Sequence, residues 1–368
     1  MEEEVNQEPE MNKKLESGPI KEAKVEVNEP SENQEQPVEG VQLDSGFQFE
    51  SSLELQFVKQ KVAEVRQQAS GFIIGQQDTI DLLLIGIFTN GHILLEGVPG
   101  IAKTLSAKVI SRCLDTEFSR IQFTPDLMPS DIIGTSVFNM KTSEFTFHKG
   151  PIFSNIILID EVNRSPAKTQ SALFEVMEER QITFEGVKYE MEYPFLIIAT
   201  QNPVEQEGTY SLPEAQLDRF LFKINLDYPS LAEEQQILSR YKNTTLSPDL
   251  STIQKVFSPE DLKKIQALVN EVKIEENLLS YIAQITHSTR NHAKLYLGAS
   301  PRASLAMAKA SKAMAAMRGR DFITPDDIQT IAPQVLNHRI ILTPEAEMEG
   351  MTPATVINEI IHKIEVPR

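Results

Sequence analysis

From His92 onward, short apolar runs alternate with helical patterns. The runs His92–Glu96, Ser119–Phe123, Ile156–Asp160, Phe195–Thr200 and Phe220–Leu226 read as strands. Nearly continuous apolar runs suit strands covered on both faces, and strands alternating with helices predict a mostly parallel sheet flanked by helices. After Tyr228 the strand pattern stops. Helices are predicted over Leu231–Tyr241, Pro259–Val272, Glu275–Thr289, Pro301–Arg318, Pro325–Leu336 and Ala354–Ile364. Thr324-Pro325-Asp326-Asp327 is typical of a helix start, with a Thr cap, Pro in the first turn and carboxylates near the positive end of the dipole. The expected organisation is an α/β domain over 51–230 and an all-helical domain over 231–368, with no repeat of solenoid length.

Two period-two patterns interrupt the α/β part. Gly134–Asn139 with Glu144–His148 reads as one hairpin. Gln181–Phe184 and Val187–Met191, joined by a turn at Glu185-Gly186, read as another. Each carries apolar residues on a short projection: Phe138, Phe145 and Phe147 in the first, Phe184, Val187 and Tyr189 in the second. Ordinary surface hairpins are the plain alternative.

The longest near-uniform apolar run, Leu82–Phe88, falls far short of the ~18 residues a spanning helix needs, and the acidic start MEEEVNQEPE is unlike a signal peptide. A cytoplasmic protein is expected. One cysteine, Cys113, and six scattered histidines exclude a disulfide scaffold and structural zinc. The net charge is −18, of which residues 1–50 carry −10 (fourteen Asp and Glu against four Lys and Arg). That segment, rich in Glu, Gln, Asn and Pro, reads as a disordered acidic tail; docking to a basic partner is its less expected use. The acidic balance also disfavours nucleic acid, which is captured through positive charge.

Candidate chemistry is concentrated at strand ends. The run ILLEGVPGIAKT places Gly97, Val98, Pro99, Gly100, Ile101, Ala102, Lys103, Thr104 and Leu105 between a strand and a helix. This is a Walker A loop: small residues let successive N–H groups face phosphate oxygens, Lys103 reaches the β and γ phosphates, and Thr104 offers a hydroxyl to Mg²⁺. Ala102 stands where the general pattern has a second glycine. Ile156–Asp160 followed by Glu161 fits Walker B, with Asp160 facing the metal and Glu161 polarising the attacking water. Asn202 follows the strand Phe195–Thr200 at the edge where open α/β sheets bind ligands, though an Asn-Pro turn also explains it. Arg219 precedes the fifth strand. Arg164 is assigned a contact with nucleotide or an adjacent subunit. Met307, Met314 and Met317 fit helix packing better than a peptide groove.

Together these residues resemble the AAA+ ATPases, and GVPGIAKT, LIDEVNR, ATQNP, PEAQLDRF and GASPRAS are similar to the MoxR-type family, from about Phe47 to the C-terminus. The resemblance implies a P-loop NTPase α/β fold with a helical lid, and ATP and Mg²⁺ as ligands. It implies Asn202 as sensor 1 and Arg219 as an arginine finger acting on a neighbouring subunit. It implies Arg302 as sensor 2, reaching the γ-phosphate from the lid helix, and Ile73-Ile74-Gly75-Gln76 as lining the adenine pocket. The hairpins resemble the helix-2 insert and the pre-sensor-1 hairpin, both facing a central pore. It further implies a homo-oligomeric, hexameric ring that remodels, matures or assembles a protein client, often with a von Willebrand factor A domain partner. Nucleic-acid translocases, chelatase-type motors and non-hydrolysing nucleotide scaffolds are the rivals. Few Lys near the hairpins, no appended DNA-binding or chelating domain, and intact Lys103, Asp160, Glu161 and Arg219 weigh against them.

Overall fold

The structure, a computed structural model, describes residues 46–141, 143–204, 208–242 and 249–367. The expected tail lies outside the described residues, apart from Gly46–Glu50, which begin the first helix. Helices α1 (Gly46–Ser70) and α2 (Gln77–Thr89) precede β1 (Ile93–Glu96), α3 (Lys103–Arg112), β2 (Phe118–Gln122) and α4 (Pro129–Ile133). The hairpin β3 (Gly134–Asn139) and β4 (Glu144–Lys149) leads to β5 (Ile156–Asp160) and α5 (Ala167–Glu179). A second hairpin, β6 (Gln181–Phe184) and β7 (Val187–Glu190), leads to β8 (Leu196–Gln201), α6 (Glu214–Leu217) and β9 (Phe222–Asn225).

The five long-range strands form one parallel sheet in the order β2-β5-β8-β1-β9. Side chains of successive residues point to opposite faces of a strand, so the sheet feeds two cores. Ile93, Leu95, Ile156, Leu158 and Ile198 join one; Leu94, Ile157, Ile159, Ile197 and Ala199 join the other, with Phe174 and Phe220. Burial on both faces is why these strands are written as unbroken apolar runs.

The helical part comprises α7 (Leu231–Tyr241), α8 (Pro259–Glu271), α9 (Glu276–Arg290), β10 (Leu295–Leu297), α10 (Pro301–Met317), α11 (Pro325–Leu336), β11 (Ile341–Leu342), α12 (Pro344–Met348) and α13 (Pro353–Lys363). It is not wholly helical: β10 and β11 pair antiparallel, a ribbon too short to show a period in sequence. The Ala-rich α10 packs against α1, α2, α8, α9 and α11. Met307, Met314 and Met317 are buried in the same core as β1 and β5, as helix packing requires. Among the described residues no helix is long and apolar enough to cross a membrane.

Both predicted hairpins form, each antiparallel. Their apolar residues divide. Phe147 stacks on Phe184 with ring centroids 4.5 Å apart and lies 4.9 Å from Tyr189, while Phe138, Met140, Phe145 and Val187 are exposed. Phe147, Phe184 and Tyr189, read as projecting side chains, therefore face each other, and the turn end of the second hairpin packs on the lower half of the first. The Ser136 hydroxyl adds a bond to Glu185 Oε2 at 3.1 Å.

Candidate active site

Strand β1 ends inside the sheet, between β8 and β9, and the chain turns through Gly97–Ala102 into α3, whose N-terminal end adjoins the cleft. Two glycines are needed for different reasons. A Cβ on Gly97 would lie 2.3 Å from Ile101 Cδ1 and 2.8 Å from the Leu226 carbonyl oxygen, whereas Gly100 has φ +85° with open space beside it. Ala102 takes the left-handed conformation, φ 67°, so the missing second glycine is replaced by a residue held where L-residues pay roughly 1–2 kcal/mol. The Lys103 ammonium donates to the carbonyls of Gly97 and of Gln201, the latter at 3.2 Å. A cleft of about 570 Å³ opens here, lined by Gly100, Lys103, Thr104, Asp160, Glu161 and Asn202 among others.

Parallel pairing of β5 with β2 and β8 brings the Walker B carboxylates to this cleft. Asp160 is buried. Its Oδ1 accepts hydrogen bonds from the hydroxyls of Thr104 (2.9 Å) and Thr200 (3.2 Å), and its Oδ2 from Arg120 Nε (2.6 Å). One hydroxyl and one carboxylate, side by side, form the sparse protein donor set that magnesium takes beside substrate phosphates, so Thr104 and Asp160 fit that ion. Glu161 also has left-handed backbone, φ 61°; its N–H is held by Thr200 Oγ1 at 3.0 Å. The Glu161 carboxylate accepts from Gln122 Nε2 (3.0 Å) and pairs with Arg164 Nε (3.0 Å). Strain at a non-glycine residue in a cleft is a mark of a functional site.

Asn202 is buried on the cleft wall, and its Oδ1 accepts the Val204 N–H at 3.1 Å, so the turn and the site share one side chain. Ile74, Gly75 and Gln76 line a separate cavity of about 280 Å³ with Leu226, Tyr228 and Glu233. Gly75 has φ +80°, and a Cβ there would meet Glu233 Oε1 at 2.0 Å. Gln76 ties this wall to the phosphate loop: its Nε2 donates to the Ile101 carbonyl at 3.0 Å, and its Oε1 accepts from Ser106 Oγ at 3.2 Å.

Arg219 and Arg302 are brought together, but elsewhere. Neither lines the cleft. Arg302 Nη2 lies 2.8 Å from Glu178 Oε1, Arg219 Nε lies 3.7 Å from Glu178 Oε2, and Arg219 also donates to the Phe174 carbonyl. Arg302 is thus held at Glu178 and not at its own chain's phosphate loop, on a helix seated by Met307, Ala310, Ala313 and Met314 in the core. The turn carrying Arg219 is held by the lid: Ser300 Oγ donates to Asp218 Oδ2 (3.1 Å) and buried Arg339 Nε to Asp218 Oδ1 (2.7 Å). The other four N–H groups of Arg339 go to the carbonyls of Asp218, Phe220, Leu221 and Val335.

Arg120, Gln122, Thr200, Glu178 and Arg339 are the site residues that motif reading missed. Arg120 and Gln122 flank buried Ile121 on β2, an alternation that places them on one face once β2 is known to pair with β5. For Glu178 and Arg339 no sequence signal was available.

Residues 92–222 match the family described as "ATPase family associated with various cellular activities (AAA)", and residues 287–360 match the AAA lid domain. The Bacillus subtilis protein YeaC, itself uncharacterised, is 45% identical over 80% of this chain and 91% of its own. Chaperone MoxR1 of Mycobacterium tuberculosis is 41% identical over 86% of this chain and 84% of its own. A crystal structure of a candidate ATPase from Cytophaga hutchinsonii superposes with a TM-score of 0.80 at 44% identity, covering 88% of this chain and all of that one (100%).

Proposed function

Because the chain belongs to the MoxR-type AAA+ ATPases, we propose that it hydrolyses ATP in a homo-oligomeric, hexameric ring to remodel, mature or assemble a protein client. The observation that carries the reading is the meeting of Thr104, Asp160 and Glu161 with the phosphate loop in one cleft. In the proposed reaction the loop N–H groups and Lys103 hold the β and γ phosphates. Thr104 and Asp160 hold magnesium, which when bound offsets the charge on those phosphates. Glu161 orients a water in line with the γ-phosphorus; the new O–P bond forms as the bond to the β-phosphate oxygen breaks, leaving ADP. Asn202 holds the γ-phosphate or the water. Ile74 and Gly75 line the adenine site.

Arg219 and Arg302 share Glu178 away from their own cleft, which supports both acting on a neighbour's nucleotide, where preorganised positive charge stabilises the transferring group. The exposed hairpin tips are the surface for the client. Lys188 is paired with Glu190 at 2.8 Å, which supports a protein client over nucleic acid. The chaperone name of one relative favours the remodelling of a protein client; a von Willebrand factor A domain partner and a cytoplasmic workplace complete the reading.

The test is a pair of variants. Lys103→Ala should abolish tight nucleotide binding. Glu161→Gln should bind ATP normally and lose turnover by about 10²-fold or more. Normal turnover in Glu161→Gln sinks the assignment of the water-orienting role.

A further inference from the structure

We propose that Arg120 is the positioning residue that fixes the Asp160 carboxylate for the metal, an inference that rests on the magnesium role given to Asp160 above. The carboxylate is held at both oxygens. Thr104 and Thr200 occupy Oδ1, and Arg120 Nε takes Oδ2 at 2.6 Å, so rotation about the last side-chain torsion is blocked. The partners differ in setting: the Asp160 side chain is 5% exposed and that of Arg120 is 47% exposed. An ion pair with one end in solvent is ordinarily worth little to stability. Here the buried end is the proposed metal ligand, and the solvent end lies in the cleft wall.

Arg120 reaches Asp160 along the strands: its Cα pairs with Leu158, two residues before the carboxylate. The side chain therefore leans toward the C-terminal edge of the sheet. There Nη2 donates to Gln122 Oε1 at 3.2 Å, and Gln122 Nε2 in turn donates to Glu161. Two residues of one edge strand thus hold the two Walker B carboxylates, and a bond between them keeps both in register. Partners of metal-ligating carboxylates set ligand orientation, and losing one costs about 10–100-fold in metal affinity or activity.

The experiment measures equilibrium binding of a fluorescent ATP analogue at varied Mg²⁺ and in EDTA, for wild type, Arg120→Met and Asp160→Asn. Thermal unfolding checks that each folds; should Arg120→Met fail to fold, Arg120→Gln is measured in its place. Arg120→Met should raise the Mg²⁺ concentration needed for half-maximal tight binding by about tenfold or more, while affinity in EDTA stays at the wild-type value. An unchanged or lowered Mg²⁺ requirement overturns the proposal. So does an equal loss with and without Mg²⁺, which would make Arg120 a direct phosphate ligand. If Asp160→Asn shows the same Mg²⁺ requirement as wild type, the metal assignment itself fails and takes the proposal with it. A shift in Asp160→Asn with none in Arg120→Met overturns only the role of Arg120.

Discussion

His92 lies just before β1, 4% exposed, with Nδ1 accepting the Ile197 N–H (3.0 Å) and Nε2 facing the Met177 carbonyl (3.2 Å). Burial, reinforced by the nearby Arg180 guanidinium, pushes this imidazole from 6.5 down to about 3. Burial and Arg339 push His338 down as well. Both histidines are thus neutral in the fold, whereas in the unfolded chain they take up protons below about pH 6.5. The stability they contribute is complete above pH 6.5 and is lost as pH falls below it, for His92 down to about pH 3, by up to ~1.4 kcal/mol per pH unit for each protonating group. Urea unfolding at pH 7.5, 6.0 and 5.0 should show midpoints that fall with acidity, and His92→Asn should flatten that dependence. A midpoint constant over this range contradicts the reading.

The chemistry legible from sequence at this scale is the part written contiguously. Gly97–Thr104 and Asp160-Glu161 are local words whose spacing encodes their task. Arg120, Glu178 and Arg339 gain their roles only from strands and helices that meet far along the chain. Arg302 shows the limit most clearly: its motif is local, but where its helix is seated depends on the packing of α10.

Among the elements, the two hairpins invite separate tests of tip and base. Phe145 is 70% and Met140 is 87% exposed at the tip of the first. Nearer the base of that hairpin, Phe147 touches Phe184 and Tyr189 of the second hairpin, and Phe153, aromatic contacts each worth about 0.5–1.5 kcal/mol beyond area burial. Phe147→Ala should lower the melting temperature measurably. The double variant Phe138→Ser, Phe145→Ser gives up one exposed ring pair with centroids 5.1 Å apart, so it should lower melting less than Phe147→Ala, keep basal ATPase activity near wild type and impair client work. A tip variant that melts as early as Phe147→Ala would show that the tip is structural too.

The five strands of the main sheet and six later helices were predicted to within two residues, while β10, β11 and α12 were missed; the signals that worked are unbroken apolar runs for strands buried on both faces, and caps such as Ser230 with Glu233, Ser258 with Asp261 and Thr324 with Asp327 for helices. The first two helices were not predicted. Nearly all of α2 from Thr79 to Thr89 is buried, so it shows no polar stripe to set its period. Helix α1 has buried Leu55, Val58, Val62, Val65 and Ala69 at helical spacing, but it directly adjoins the polar tail.

At the scale of the whole molecule, the arginine pair lies outside the cleft of its own chain, so the proposed chemistry would be completed between copies. Arg219→Ala and Lys103→Ala subunits, each inactive alone, should regain part of the hydrolysis when mixed, because some interfaces then join an intact loop to an intact finger. Mixed assemblies that stay inactive would place Arg219 in its own chain's site or in a structural ion pair.

The seating of α10 has a mechanical consequence. Lifting it from the core would expose Met307, Met314 and Met317, each roughly 1.5–3 kcal/mol of burial. The total, on the order of 5–9 kcal/mol, rivals the entire stability of an ordinary domain. A lid that swings open within its own chain is therefore not a working motion for this molecule. If the α/β part and α10 move together as one stiff lever, the hinges of the assembly proposed here are the borders between subunits.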